Sequence, residues 1–152
     1  MDFPKLLGLR PGVTAVIGNV AHFNSECEDY AVAVFQYPGM VAQLSTNIVS
    51  HGEEQELVFQ TEKGRLSIPW RTVSYKPLSN GFPVDDEEAH DKLAARYAEL
   101  PEIKYEGHTG EINNFIQAIL GKEELLVDGQ QGRNAIELIM AMYKSAATGS
   151  AV

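Results

Sequence analysis

The chain has 152 residues, 44% hydrophobic and 22% charged, with 21 acidic side chains against 12 basic and a formal charge of −9. That length suits one domain with a sizeable core. The acidic surface, with no local Lys/Arg cluster, repels phosphate backbones and excludes nucleic acid as a partner. No apolar run approaches the roughly 20 residues of a membrane span. The single cysteine, Cys27, excludes an intrachain disulfide and a cysteine-built zinc site. The start, MDFPKLLGLRPG, has too short an apolar stretch for a secretory signal, so a cytoplasmic location is expected.

Thr14 to His22 (TAVIGNVAH) is apolar and β-rich and predicts a first strand, ending before the polar loop Asn24 to Glu28. Asp29 to Tyr37 and Met40 to Ser50 predict two strands flanking Pro38-Gly39, where proline and then glycine fit the central positions of a type II turn. Glu56 to Thr61 and Arg65 to Ile68 bracket Glu62-Lys63-Gly64, read as a three-residue hairpin loop with Gly64 in the left-handed position. Thr72 to Lys76 is the last predicted strand.

Opposing Tyr37 with Met40 sorts the side chains by face. Ala31, Ala33 and Phe35 lie alongside Ala42, Leu44 and Thr46, a small dry face suited to cover by helices. The other face carries Tyr30, Val32, Val34 and Gln36 with Val41, Gln43, Ser45 and Asn47. No charge interrupts the run from Tyr30 to Ser50, a composition that suits a protein interface; an ordinary solvated face is the other reading.

Lys76 to Asp86 (KPLSNGFPVDD) is dense in turn formers and predicts a loop. Asp86 to Leu100 predicts a helix with acidic residues in its first turn and a stripe of Ala89, Leu93, Tyr97 and Leu100, ended by Pro101. Ile112, Phe115, Ile116, Ile119 and Leu120 follow helical spacing and stop at Gly121. The final helix opens with Asp128-Gly129-Gln130-Gln131, similar to a capping box, and closes at Gly149. Its apolar face is Ile136, Ile139, Met140, Tyr143 and Ala147, with Leu138 and Met142 extending it round the side. The fold class expected is α+β: an open, mostly antiparallel sheet covered on one face by helices, in a single domain over residues 1–152.

A dinucleotide site needs a glycine-rich turn between a strand and a helix, and consecutive strands do not make one. Gly107-His108-Thr109-Gly110 lacks the spacing, and Gly129 and Gly132 sit inside a helix start. His22, His51, His90 and His108 form no i,i+4 pair, so a histidine metal site has no support. His108 stands between two glycines at a helix N-terminus, placed to hydrogen-bond a substrate hydroxyl or act as a base; simple capping of the helix is the alternative. Hydrolase chemistry finds no G-x-S-x-G elbow, and the pairs Glu53-Glu54, Asp85-Asp86 and Glu87-Glu88 read as loop and cap acids.

The tail VDGQQGRNAIELIMAMYKSAATGSAV resembles the close of the Gfo/Idh/MocA family, with its VDG-x-x-GR helix and Ser-Ala-x-x-Gly ending. The middle, EDYAVAVFQYPGMVAQLSTNIVSHGEEQELVFQTEKGRLSI, is similar to the family's consecutive strands. The start, DFPKLLGLRPGVTAVIGN, looks like the segment after a motif in which a catalytic histidine precedes an aspartate by three positions; Asp2 would be that aspartate and the histidine would precede Met1. The resemblance implies the C-terminal α/β domain of NAD(P)-dependent sugar or polyol dehydrogenases, supplying part of the substrate pocket and, through its sheet face, the oligomer contact. His108 matches a position that can lie near substrate. The family's Glu-Lys-Pro lysine, cofactor glycines and catalytic histidine have no counterparts, and Lys5 lies in a different context.

The resemblance thus implies half an enzyme: no cofactor held by this chain, NAD or NADP in the full enzyme, a sugar-like substrate there, and homo-oligomers through the sheet face. A start just after the catalytic motif suggests a shortened reading frame or an isolated domain. The competing reading is a stand-alone protein that dimerises or holds a small polar ligand without redox chemistry.

Overall fold

The computed structural model describes residues 11–19, 26–49, 55–69, 72–100 and 107–152. Expectations for Asp2, Lys5, His22, His51, Glu53-Glu54 and Pro101 lie outside them. In chain order the elements are β1 (Gly12–Gly18), β2 (Tyr30–Tyr37), β3 (Met40–Asn47), β4 (Glu56–Gln60), β5 (Gly64–Pro69), β6 (Ser74–Ser79), β7 (Phe82–Pro83), α1 (Glu87–Ala98), α2 (Gly107–Ile119) and α3 (Gly129–Thr148). The fold is α+β, and every described strand pairing is antiparallel. The strands divide into sheets ordered β1-β2-β3 and β4-β5-β6-β7. The chain forms two compact units, Met1–His51 with Asn114–Val152, and Gly52–Asn113.

In the first unit Tyr37 opposes Met40, so Pro38-Gly39 is a two-residue turn with Gly39 at φ +76°, as a type II turn requires. Val13, Ala15, Ala31, Ala33, Phe35 and Tyr37 are buried on one face, and Met142 of α3 joins them with Leu138 and Ala141 packed alongside. The alanines keep this face low, so α3 can approach closely. Burial pushes the Tyr37 phenol above its ordinary value.

The face of α3 that meets the sheet differs from the one the sequence predicts. Leu138, Ala141, Met142 and Ser145, at i, i+3, i+4 and i+7, turn inward, while Ile136, Ile139, Met140 and Tyr143 are exposed. A hydroxyl decides the rotation. Ser145 is 1% exposed, and its Oγ accepts from the Ala15 N–H at 3.0 Å while donating to the Ser150 carbonyl at 2.8 Å. Gly149, at φ +64°, then turns the chain back so that Val152 and Val13 exchange two backbone hydrogen bonds of 2.8 and 3.0 Å. At the other end of α3, Asp128 accepts from the Gln131 N–H and Gln131 Oε1 from the Asp128 N–H, a complete capping box.

α2 ends at Gly121 (φ +67°), where the Gly121 and Lys122 N–H groups donate to the Ala118 and Gln117 carbonyls, the paired bonds of a Schellman motif. Its packed side is again not the apolar stripe. Asn114 is buried and clamps the α2–α3 connector, donating to the Glu124 carbonyl and accepting from the Leu126 N–H, both at 3.0 Å. Ile112, Phe115, Ile116, Ile119 and Leu120 are exposed.

In the second unit Gly64 opens β5 without positive φ, which corrects the left-handed expectation. What requires glycine there is proximity: an added Cβ would stand 2.6 Å from the Tyr75 ring and 2.7 Å from the Lys76 carbonyl oxygen. The predicted loop at Lys76 to Asp86 instead contains the β6–β7 hairpin. Asn80 and Gly81 both have positive φ (51° and 81°), the signature of a type I′ turn. Asp86 caps α1 by accepting from the Ala89 N–H at 2.9 Å, and α1 packs on β6. Lys76 Nζ lies 2.6 Å from Asp85 Oδ1, and this partner holds the Asp85 carboxyl below its ordinary value.

Candidate functional site

The eight face residues predicted from the hairpin are brought together as Tyr30 opposite Asn47, Val32 opposite Ser45, Val34 opposite Gln43 and Gln36 opposite Val41. The sequence reading left out β1, which pairs with β2 and adds Gly12, Thr14, Val16 and Gly18 to the same face. The signal was present in the alternation of Val13, Ala15 and Ile17 with Thr14, Val16 and Gly18. None of the outward positions on the three strands is charged. The face is also uncovered within its unit: Val16 is 72% and Val41 68% exposed, with Val34 and Tyr30 partly so. Proteins blunt such surfaces with charge or cover them, and here no lysine, glutamate or proline interrupts it.

His108 lies in the first turn of α2, one residue inside the helix. Its side chain is 99% exposed, with Nδ1 3.5 Å from Glu111 Oε2. It belongs to the second unit, whereas the sheet-face residues belong to the first. His90 is half exposed beside Asp91. In the first unit a cavity of about 340 Å³ opens between the sheet and α3, with walls of Ile17, Ala31, Leu44, Met142 and Tyr143 and with Asp29 and Thr46 among its polar residues. Asp29 is buried; its N–H donates to the Gly18 carbonyl and its C=O accepts from the Ile48 N–H, joining the ends of β1 and β3.

No group of three or more His, Cys, Asp or Glu among the described residues could hold a metal ion. No helix among them is long and apolar enough to cross a membrane. The strand pairings among the described residues are all antiparallel, and among those residues neither Gly107 nor the Gly129–Gly132 turn follows a parallel strand.

The described residues form an antiparallel α+β fold. Residues 4–152 match the family model described as the oxidoreductase family, C-terminal alpha/beta domain, and the chain belongs to the Gfo/Idh/MocA oxidoreductases as that domain. Among solved structures it is similar to the WlbA dehydrogenase of Chromobacterium violaceum in complex with NADH and UDP-GlcNAcA, at 22% identity and TM-score 0.67, over 93% of this chain and 39% of that one. The Bordetella pertussis WlbA dehydrogenase, with the same two ligands, gives 20% identity and TM-score 0.66 over 93% and 41%. These likenesses show the fold. The chain spans about two fifths of the length of both structures. No curated protein matches it significantly.

Proposed function

We propose that this domain is the assembly and substrate-side part of an NAD(P)-dependent sugar or polyol dehydrogenase of the cytoplasm, and that it turns nothing over alone. The observation that carries the reading is the uncharged, uncovered face of β1–β3, which suits contact with the same face of a second copy. Three strands about 4.8 Å apart and about 25 Å long present roughly 350 Å². A stable interface takes about 800 Å² per partner, so this face alone supports a concentration-dependent dimer rather than a permanent one.

The exposed apolar faces of α2 and α3 suit contact with the rest of such an enzyme. Coenzyme chemistry in this reading falls to a part other than the described residues. His108 is the group assigned to the substrate side: with Glu111 on Nδ1, its other ring nitrogen is left to face a sugar hydroxyl. Sedimentation velocity of the chain and of Val34→Lys tests the assembly reading. The parent should shift toward a dimer as concentration rises and the variant should remain monomeric. A variant that dimerises as readily as the parent would remove the face from the account.

A further inference from the structure

Asn80-Gly81 is the only Asn-Gly step in the sequence, and it forms the exposed tip of the β6–β7 hairpin. Such a step carries its own electrophile and nucleophile: the Gly81 backbone nitrogen can attack the Asn80 carboxamide carbon. Glycine leaves that nitrogen unshielded, and even an added Cβ at Gly81 would meet nothing within 4 Å. What opposes the reaction is the turn. With φ at 51° and 81° the two residues are fixed in one relation, and closing a five-membered ring requires the Asn80 backbone to rotate out of it. The rate in the fold is therefore the rate in the free chain multiplied by the fraction of time the hairpin is open.

That hairpin is weakly held. β7 has two residues, Phe82 is exposed, and Pro77 has no N–H to return the 3.0 Å bond that its carbonyl accepts from Val84. The Lys76–Asp85 pair spanning the hairpin is open to solvent and adds little. The other asparagines with described side-chain bonds differ on both counts. Asn19, Asn47, Asn114 and Asn134 precede residues larger than glycine, and each carboxamide is engaged in a hydrogen bond. Asp128-Gly129 shares the glycine, but its carboxylate is a poor electrophile and accepts from the Gln131 N–H.

We propose that Asn80 is a site of spontaneous modification, and that its isoaspartyl product unzips β7. The Gly81 nitrogen bonds to Asn80 Cγ and gives up its proton, ammonia leaves, and a succinimide forms. Water then opens the ring. Addition at Cγ restores the normal backbone and leaves an aspartate. Addition at the Asn80 backbone carbonyl breaks the old peptide bond and routes the chain through Cγ, one atom longer. A two-residue turn that sets Ser79 opposite Phe82 has no room for that atom.

The test holds the whole chain at mildly alkaline pH, folded in buffer and unfolded in guanidinium chloride, and follows digested peptides by mass spectrometry. The exchange of amide for acid at Asn80 should run in the fold at no less than about a tenth of its unfolded rate. Peptides carrying Asn114 and Asn134 should stay unchanged in the folded sample. Asn80→Gln, which would have to close a six-membered ring, should lose the change; peptide mapping of the parent locates it even if that variant folds poorly. Chromatography then separates the isoaspartyl chain, whose Val84 amide should exchange hydrogen about tenfold or more faster than the parent's. A folded rate below the stated mark, or modification that spares Asn80 and falls on the other asparagines, overturns the site. An isoaspartyl chain that keeps the parent's exchange at Val84 overturns the unzipping.

Discussion

Replacing Ser145 with alanine is expected to weaken the fold far more than its size suggests. Loss of the hydroxyl leaves the buried Ala15 N–H without its acceptor, a penalty of about 1–3 kcal/mol. The bond to the Ser150 carbonyl adds about 0.5–1.5 kcal/mol, because that carbonyl can turn toward water. Alanine recovers roughly 0.5 kcal/mol through its better helix propensity. The net expectation is a loss of about 1–4 kcal/mol, which lowers Tm by roughly 2–16 °C in a chain of this size. Urea unfolding followed by far-UV circular dichroism measures it, with an unchanged m-value showing that the unfolded state is the same. Lys144→Ala, one residue away on the exposed side, should stay within about 0.5 kcal/mol of the parent. If Ser145→Ala behaves like Lys144→Ala, the hydroxyl does not hold α3, β1 and the tail together.

Gly64→Ala drives a Cβ against the Tyr75 ring and the Lys76 carbonyl, and thermal melts should show a loss of about 1–3 kcal/mol. Gly149→Ala meets no neighbour but must hold φ at +64°, so it should cost only about 1–2 kcal/mol, read by the same melts. Tyr37 keeps its proton in the fold to higher pH than in the unfolded chain. Its contribution is therefore complete below the unfolded tyrosine value and is lost as pH rises through the folded one. Melts across the alkaline range should show stability falling more steeply in the parent than in Tyr37→Phe.

The parts of the fold legible in the sequence were those set by local rules. Pro38-Gly39 fixed the β2–β3 register, and with it which side chains of the hairpin share a face. Asp128 with Gln131 marked the start of α3, and Gly121 and Gly149 marked two helix ends. Asn80-Gly81 carried an equally strong hairpin signal, obscured by the flanking Pro77 and Pro83. Ala89, Leu93 and Tyr97 of the expected α1 stripe are half-buried, but the faces of α2 and α3 failed for a different reason. Counting apolar residues picks the greasiest stripe, but Ser145 and Asn114 turn inward because each satisfies backbone groups on a separate segment. No periodicity in the sequence registers a long-range hydrogen bond. The candidate site was legible as a chargeless stretch on β2 and β3, while the share of β1 depended on a pairing with β2 that no two-residue turn signal in the intervening sequence announced.

The claim that the β1–β3 face is where copies meet is tested most directly by isotope-filtered NMR on a mixture of labelled and unlabelled chain. The account predicts intermolecular NOEs from the methyl groups of Val16, Val34 and Val41, growing with concentration. Intermolecular NOEs confined to Ile136 and Met140 on α3, with none from those valines, would contradict it.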